Sequence, residues 1–116
     1  MRKYLFILLF FSFWFLDGCA VTNNELYYWG NYSNTLYAYT KEPSPKTLNA
    51  HRKELLNIVK ISEGQHKRVA PGIYAELGQL CLADGSKDQA VNYFQKELAL
   101  YPESETLINV ELQKKN

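Results

Sequence analysis

The chain has 116 residues, 47% of them hydrophobic and 22% charged, which bounds it to one small folded unit and excludes a collagen-like or strongly disordered polymer. Thirteen basic and twelve acidic side chains leave a net charge of +1. That is too little for the electrostatic footprint of non-specific nucleic-acid binding, so no nucleic-acid partner is expected. Five of the six phenylalanines (Phe6, Phe10, Phe11, Phe13 and Phe15) crowd the first 18 residues, and that stretch has to be read apart from the rest.

Arg2 and Lys3 precede an apolar run from Tyr4 to Leu16, interrupted by Ser12 and closed by Asp17-Gly18 before Cys19. A basic start, an apolar stretch and a small residue at a processing point have the form of a cleaved export signal. The run is shorter than the roughly 20 residues that cross a bilayer's hydrocarbon core. Leu16-Asp17-Gly18-Cys19 resembles the bacterial lipobox. The resemblance implies that residues 1–18 are a lipoprotein signal peptide cut off between Gly18 and Cys19, with Cys19 the point of lipid attachment; a secreted chain without lipid is the competing reading. Asp17 departs from the small uncharged residue usual at that position, which implies slower processing. Two or three acyl chains, at about 0.8 kcal/mol per buried CH₂, make such an anchor effectively permanent. Ala20 stands where inner-membrane lipoproteins typically carry Asp, which implies an outer-membrane, periplasm-facing location. With Cys19 acylated, Cys81 is the one thiol left to residues 19–116 and no intramolecular disulfide forms; a Cys19 to Cys81 bridge is the alternative.

Residues 19–116 carry 11 basic and 11 acidic side chains. Residues 19–25 read as a polar tether, and residues 26–116 as a helical domain. From Leu26 to Tyr39 the chain places Tyr27, Tyr28, Trp29, Tyr32, Tyr37 and Tyr39. Trp29, Tyr32, Leu36 and Tyr39 fall at spacings of three and four, which predicts a helix with a partly irregular start at Gly30. Ser44-Pro45 supplies a cap and a first-turn proline for a second helix to about Ser62, with the stripe Leu48, Leu55, Leu56, Ile58, Val59 and Ser62. Residues 64–70 lack periodicity and read as a basic loop. After Pro71-Gly72, Ile73, Leu77, Leu80 and Cys81 form the stripe of a third helix. Gly85 then suits a left-handed turn, and Ser86-Lys87-Asp88-Gln89 reads as a capping box for a fourth helix burying Ala90, Val91, Phe94 and Leu98. Tyr101-Pro102 ends that helix, and Ser104 opens a fifth with Leu107, Ile108 and Leu112. The fold class predicted is all-α, with about five helices.

Within the 34 positions from 71 to 104, Tyr74, Leu77, Gly78, Cys81, Gly85, Ala90, Phe94 and Pro102 stand at the offsets of a tetratricopeptide repeat. Gly78 would let the two helices approach closely, Ala90 would offer a small crossing surface, and Phe94 would fill the space toward the next element. Glu97 departs from the small residue usual at its position, which predicts a looser or solvent-facing end to the hairpin. One repeat cannot bury its own faces, so the flanking helices are expected to act as degenerate neighbours in a short TPR-like hairpin array.

The signal and lipobox, the segment Leu26-Tyr27-Tyr28-Trp29-Gly30-Asn31-Tyr32, the stretch Val69-Ala70-Pro71-Gly72-Ile73-Tyr74-Ala75-Glu76 and the ending Tyr101-Pro102-Glu103-Ser104 together resemble a family of small bacterial lipoproteins of unknown function, domain of unknown function 4810. The resemblance implies an envelope complex with a lipoprotein similar to the curli-secretion channel, and it implies no enzymatic activity.

His51 and His66 lack both the spacing and the third ligand of a zinc site, so no metal is expected, and His51 reads as the edge of its helix's apolar stripe. The six glycines are too scattered for a phosphate or dinucleotide loop, and no serine sits in a nucleophile elbow; no catalytic residue, cofactor or small-molecule substrate is assigned. Cys81 reads as an inert core thiol. The residues assigned to partner binding are Trp29 and Tyr32 of the aromatic segment, weighed against simple packing, together with Gln79 and Leu82. The last two belong to the groove face Gly72, Ala75, Gln79 and Leu82, which has no basic residue and so suits an apolar or neutral ligand. The function expected is a lipid-anchored binding or assembly accessory for an envelope protein; the alternative is a structural lipoprotein touching peptidoglycan through its aromatic segment.

Overall fold

The helices are bounded by different devices: a reciprocal cap at the start of the second, a left-handed glycine after the third. A computed structural model describes residues 25–114, and the expected signal peptide, Cys19 and most of the tether lie outside the described residues. The order of elements is α1 (Tyr32–Lys41), α2 (Pro45–Gly64), α3 (Ile73–Ala83), α4 (Lys87–Leu100), a 3₁₀ turn (Pro102–Ser104) and α5 (Glu105–Lys114). The chain is all-α, with helical hairpins and no strand among the described residues.

At α2, the Ser44 hydroxyl accepts the Thr47 N–H at 3.1 Å while the Thr47 hydroxyl accepts the Ser44 N–H at 3.0 Å, and Pro45 costs nothing in the first turn. The turn from α3 to α4 closes differently from the expected capping box. The Ser86 N–H reaches the Cys81 carbonyl at 2.8 Å and the Gly85 N–H reaches Leu82 at 3.1 Å, with Gly85 at φ 81°. This is the Schellman pattern, which needs a left-handed residue just past the helix. Its closure fixes Ser86 at φ −91°, ψ 69°, and the Ser86 side chain makes no capping bond.

The aromatic segment is not helical from Leu26; regular structure starts at Tyr32. Gly30 has φ 47°, and a Cβ there would run into the Glu54 carboxylate and the Tyr28 ring. Trp29 therefore lies ahead of α1, its carbonyl accepting the Tyr32 N–H at 3.0 Å.

Two apolar clusters carry the packing. The first joins Leu55 and Ile58 of α2, Val69 and Ala70 of the connecting segment, and Ile73, Tyr74 and Leu77 of α3, with Tyr27, Tyr28 and Tyr32 against its side. The second joins Leu82, Ala90, Phe94 and Ile108, with Cys81, Leu98 and Leu112 at its margin. Each fully buried side chain of this size contributes about 1.5–3 kcal/mol. The supposed loop at 64–70 is thus part of the core at its end, and the Tyr101 hydroxyl donates to the Val69 carbonyl at 2.7 Å to hold it there. Gly78 does what its place in the hairpin predicted: a Cβ would lie 2.5 Å from Phe94 Cε1, so the ring occupies the room a side chain would need.

Four expectations need correction. Leu56 is exposed at 46% although it was placed on the buried stripe of α2, and His51, placed at the edge, is buried at 2%. Cys81 is half-buried at the cluster's margin, not in the core. Glu97, expected to loosen its hairpin or face solvent, is buried at 1%, and its Oε1 accepts the Gly72 N–H at 2.7 Å. The carboxylate takes up a free amide at the start of α3, where the helix dipole also favours negative charge.

Candidate functional site

The four residues assigned to partner binding from the sequence do not form one surface. Trp29 is exposed at 42% and Gln79 is exposed. Leu82 is withdrawn from the predicted groove: it is buried at 8% because α5 lays Ile108 in the same cluster. Tyr32 is half-buried and committed to internal hydrogen bonds. Gly72, also on that face, has its N–H engaged by Glu97.

Tyr32 belongs to a polar relay that local spacing could not reveal. Its hydroxyl donates to Glu76 Oε2 at 2.9 Å, Glu76 Oε1 lies 2.5 Å from His51 Nε2, and His51 Nδ1 lies 2.8 Å from the Thr35 hydroxyl. Burial, and then the hydrogen bond to Glu76, push the Tyr32 phenol up to about 12, which keeps it a donor. Thr35 has one proton for two acceptors, His51 Nδ1 and the Tyr32 carbonyl at 3.1 Å. When Thr35 donates to the ring, Nε2–H faces Glu76; when it donates to the carbonyl, its hydroxyl accepts Nδ1–H, and a second proton, on Nε2 or on the Glu76 carboxyl, completes the contact with Glu76. Either way every member is engaged, and α1 is fastened to α2 and α3. Asn31 N–H adds a bond to Glu54 Oε1 at 2.9 Å. His51 and Glu76 offer only two ligating groups, and among the described residues no cluster of three or more His, Cys, Asp or Glu is placed to hold a metal.

Besides Tyr37 and Leu56, the exposed large apolar side chains stand near the two ends of the described residues. Leu26 is exposed at 73%, and residues Glu25 to Gly30 line an open depression of about 610 Å³. The Trp29 ring is steadied between Tyr27, edge-on at 6.4 Å, and Tyr32 at 5.5 Å. On α5, Leu107 is exposed at 72% and Val110 at 43%, three residues apart and therefore on one face of the helix. The expected basic loop is partly engaged, since the Arg68 guanidinium sits 5.8 Å from the Tyr101 ring centre. None of the described helices is long and apolar enough to cross a membrane.

A family model described as Domain of unknown function (DUF4810) matches residues 26–110, most of the chain. The chain belongs to that family. The DUF4810 match begins at Leu26, the exposed leucine of the aromatic segment, and ends at Val110 on the outer face of α5. No curated protein and no solved structure matches the chain.

Proposed function

We propose that this DUF4810 protein is an outer-membrane lipoprotein, anchored through Cys19 and facing the periplasm, whose helices act as a TPR-like binding and assembly accessory for a lipoprotein similar to the curli-secretion channel. The observation that carries the binding role is the outer face of α5, with Leu107 and Val110 turned to solvent. In arrays of helical hairpins each element buries its apolar face against a neighbour; α5 keeps an apolar pair in solvent, which supports a further element covering it. Gln79 is exposed on α3, and neither it nor the α5 pair calls for a charged ligand.

The test is crosslinking in intact cells followed by detergent extraction and purification. Recovery of the channel-like lipoprotein with the intact chain, and its loss in Leu107→Glu/Val110→Glu, supports the reading. Consistent recovery of uncomplexed monomer from wild-type cells overturns it.

A further inference from the structure

We infer that Leu26 and Trp29 form a foot that rests the domain on the bilayer surface holding its anchor, an inference that depends on the proposed acylation of Cys19. Cys19 and Leu26 stand seven positions apart, with six residues between them. At no more than 3.3–3.6 Å per residue, that spacing cannot place Leu26 farther than about 25 Å from Cys19. That limit is within a few multiples of the headgroup layer, about 5–8 Å deep. An acylated Cys19 would therefore hold the patch beside the membrane continuously, at an effective concentration in the millimolar range, so even a weak surface preference becomes occupancy.

The residues themselves suit that surface. Leu26 is the most exposed large hydrophobic residue of the described chain, at 73%. Trp29 is held by its aromatic neighbours with its ring partly exposed, and tryptophan and tyrosine favour the headgroup level because one side of the ring is apolar while the N–H or O–H stays wet. Glu25 is the one charged side chain lining the depression, so the contact draws on apolar burial and not on attraction to anionic lipid. A sugar strand is a poorer occupant, since the aliphatic Leu26 offers hydroxyl groups no hydrogen bond.

Residues 19–116 contain a single tryptophan, Trp29, because Trp14 lies in the signal. The matured full-length lipoprotein is reconstituted into vesicles of zwitterionic lipid, with and without lipids brominated near the carbonyl end of the acyl chain. The expected result is a blue-shifted Trp29 emission that the brominated lipid quenches, unchanged by added anionic lipid and lost in Leu26→Ser with helix content intact by circular dichroism. Mass spectrometry of the N-terminus on the same sample separates the two readings. Acylated Cys19 with unquenched Trp29 overturns the foot and leaves the anchor standing, whereas unmodified Cys19 overturns both. Co-sedimentation with purified sacculi that Trp29→Ala abolishes would replace the foot with peptidoglycan contact.

Discussion

Glu97 sits where a small side chain was anticipated, and its burial gives it a structural task that can be measured. Its Oε1 accepts the Gly72 N–H, while Oε2 is buried without a partner. Glu97→Ala strands that amide and opens a cavity, and is expected to cost about 3 kcal/mol in urea unfolding. Glu97→Gln keeps an acceptor of the same shape and should lose less than half as much. Cys81 behaves as a different kind of marginal residue. Burial pushes its thiol up, the Arg52 guanidinium pulls it partly back, and Asp84 opposes Arg52. The alkylation rate of Cys81 with iodoacetamide should therefore rise at a more alkaline pH than for an unhindered cysteine, and Arg52→Ala should move the midpoint further up. A midpoint below the ordinary thiol range would contradict this account. Neither Glu97 nor His51 could be read from local pattern, because their partners lie 25 residues away; periodicity reports which face a residue occupies, not which polar group meets it across the core.

At the scale of elements, α1 is the unusual one, since it has no buried residue. It is held by half-buried aromatics and by the bonds of Tyr32, Thr35 and Asn31 to α2 and α3. Its amides should exchange with solvent first, and Tyr32→Phe, removing one bond worth about 1 kcal/mol, should speed that exchange roughly fivefold while α3 and α4 stay protected. The same bonds set an alkaline limit. Tyr32, and Tyr74 donating to Glu63 at 3.1 Å, are both pushed up to about 12, by burial first. A raised folded value means that their contribution is complete below about pH 10, where the unfolded phenols titrate, and is lost as pH climbs toward 12. Unfolding followed by circular dichroism should steepen across that window, and less so in Tyr32→Phe. The helices of the hairpin were legible because their signals are local: Ser44-Pro45, Gly85 and Pro102 act within one turn. The irregular start at Gly30 was legible too, but not its cause, the distant Glu54 occupying the space beside Gly30.

For the molecule as a whole, the two clusters divide the work. One spans α2 and α3, and the other spans α3, α4 and α5. Deleting residues 102–116 removes Ile108 and uncovers Leu82 and Phe94, and is expected to abolish cooperative unfolding. Ile108→Ala alone should cost about 2–4 kcal/mol by thermal or urea denaturation while keeping the transition cooperative. A truncated chain with an unchanged midpoint would show that α5 is dispensable. The presence of a fifth helix was readable from Ser104 and the spacing of Ile108 and Leu112, but its choice of outward face was not. Leu107 and Ile108 are neighbours in sequence, and only the docking of α5 on Phe94 decides which one turns inward.

The seam between these clusters has a mechanical meaning. Phe94 is seated against Gly78, where a Cβ would lie 2.5 Å from the ring, and this contact joins α3 to α4. A pull that parted α3 from α4 would have to lift that ring out of the room left by the missing side chain.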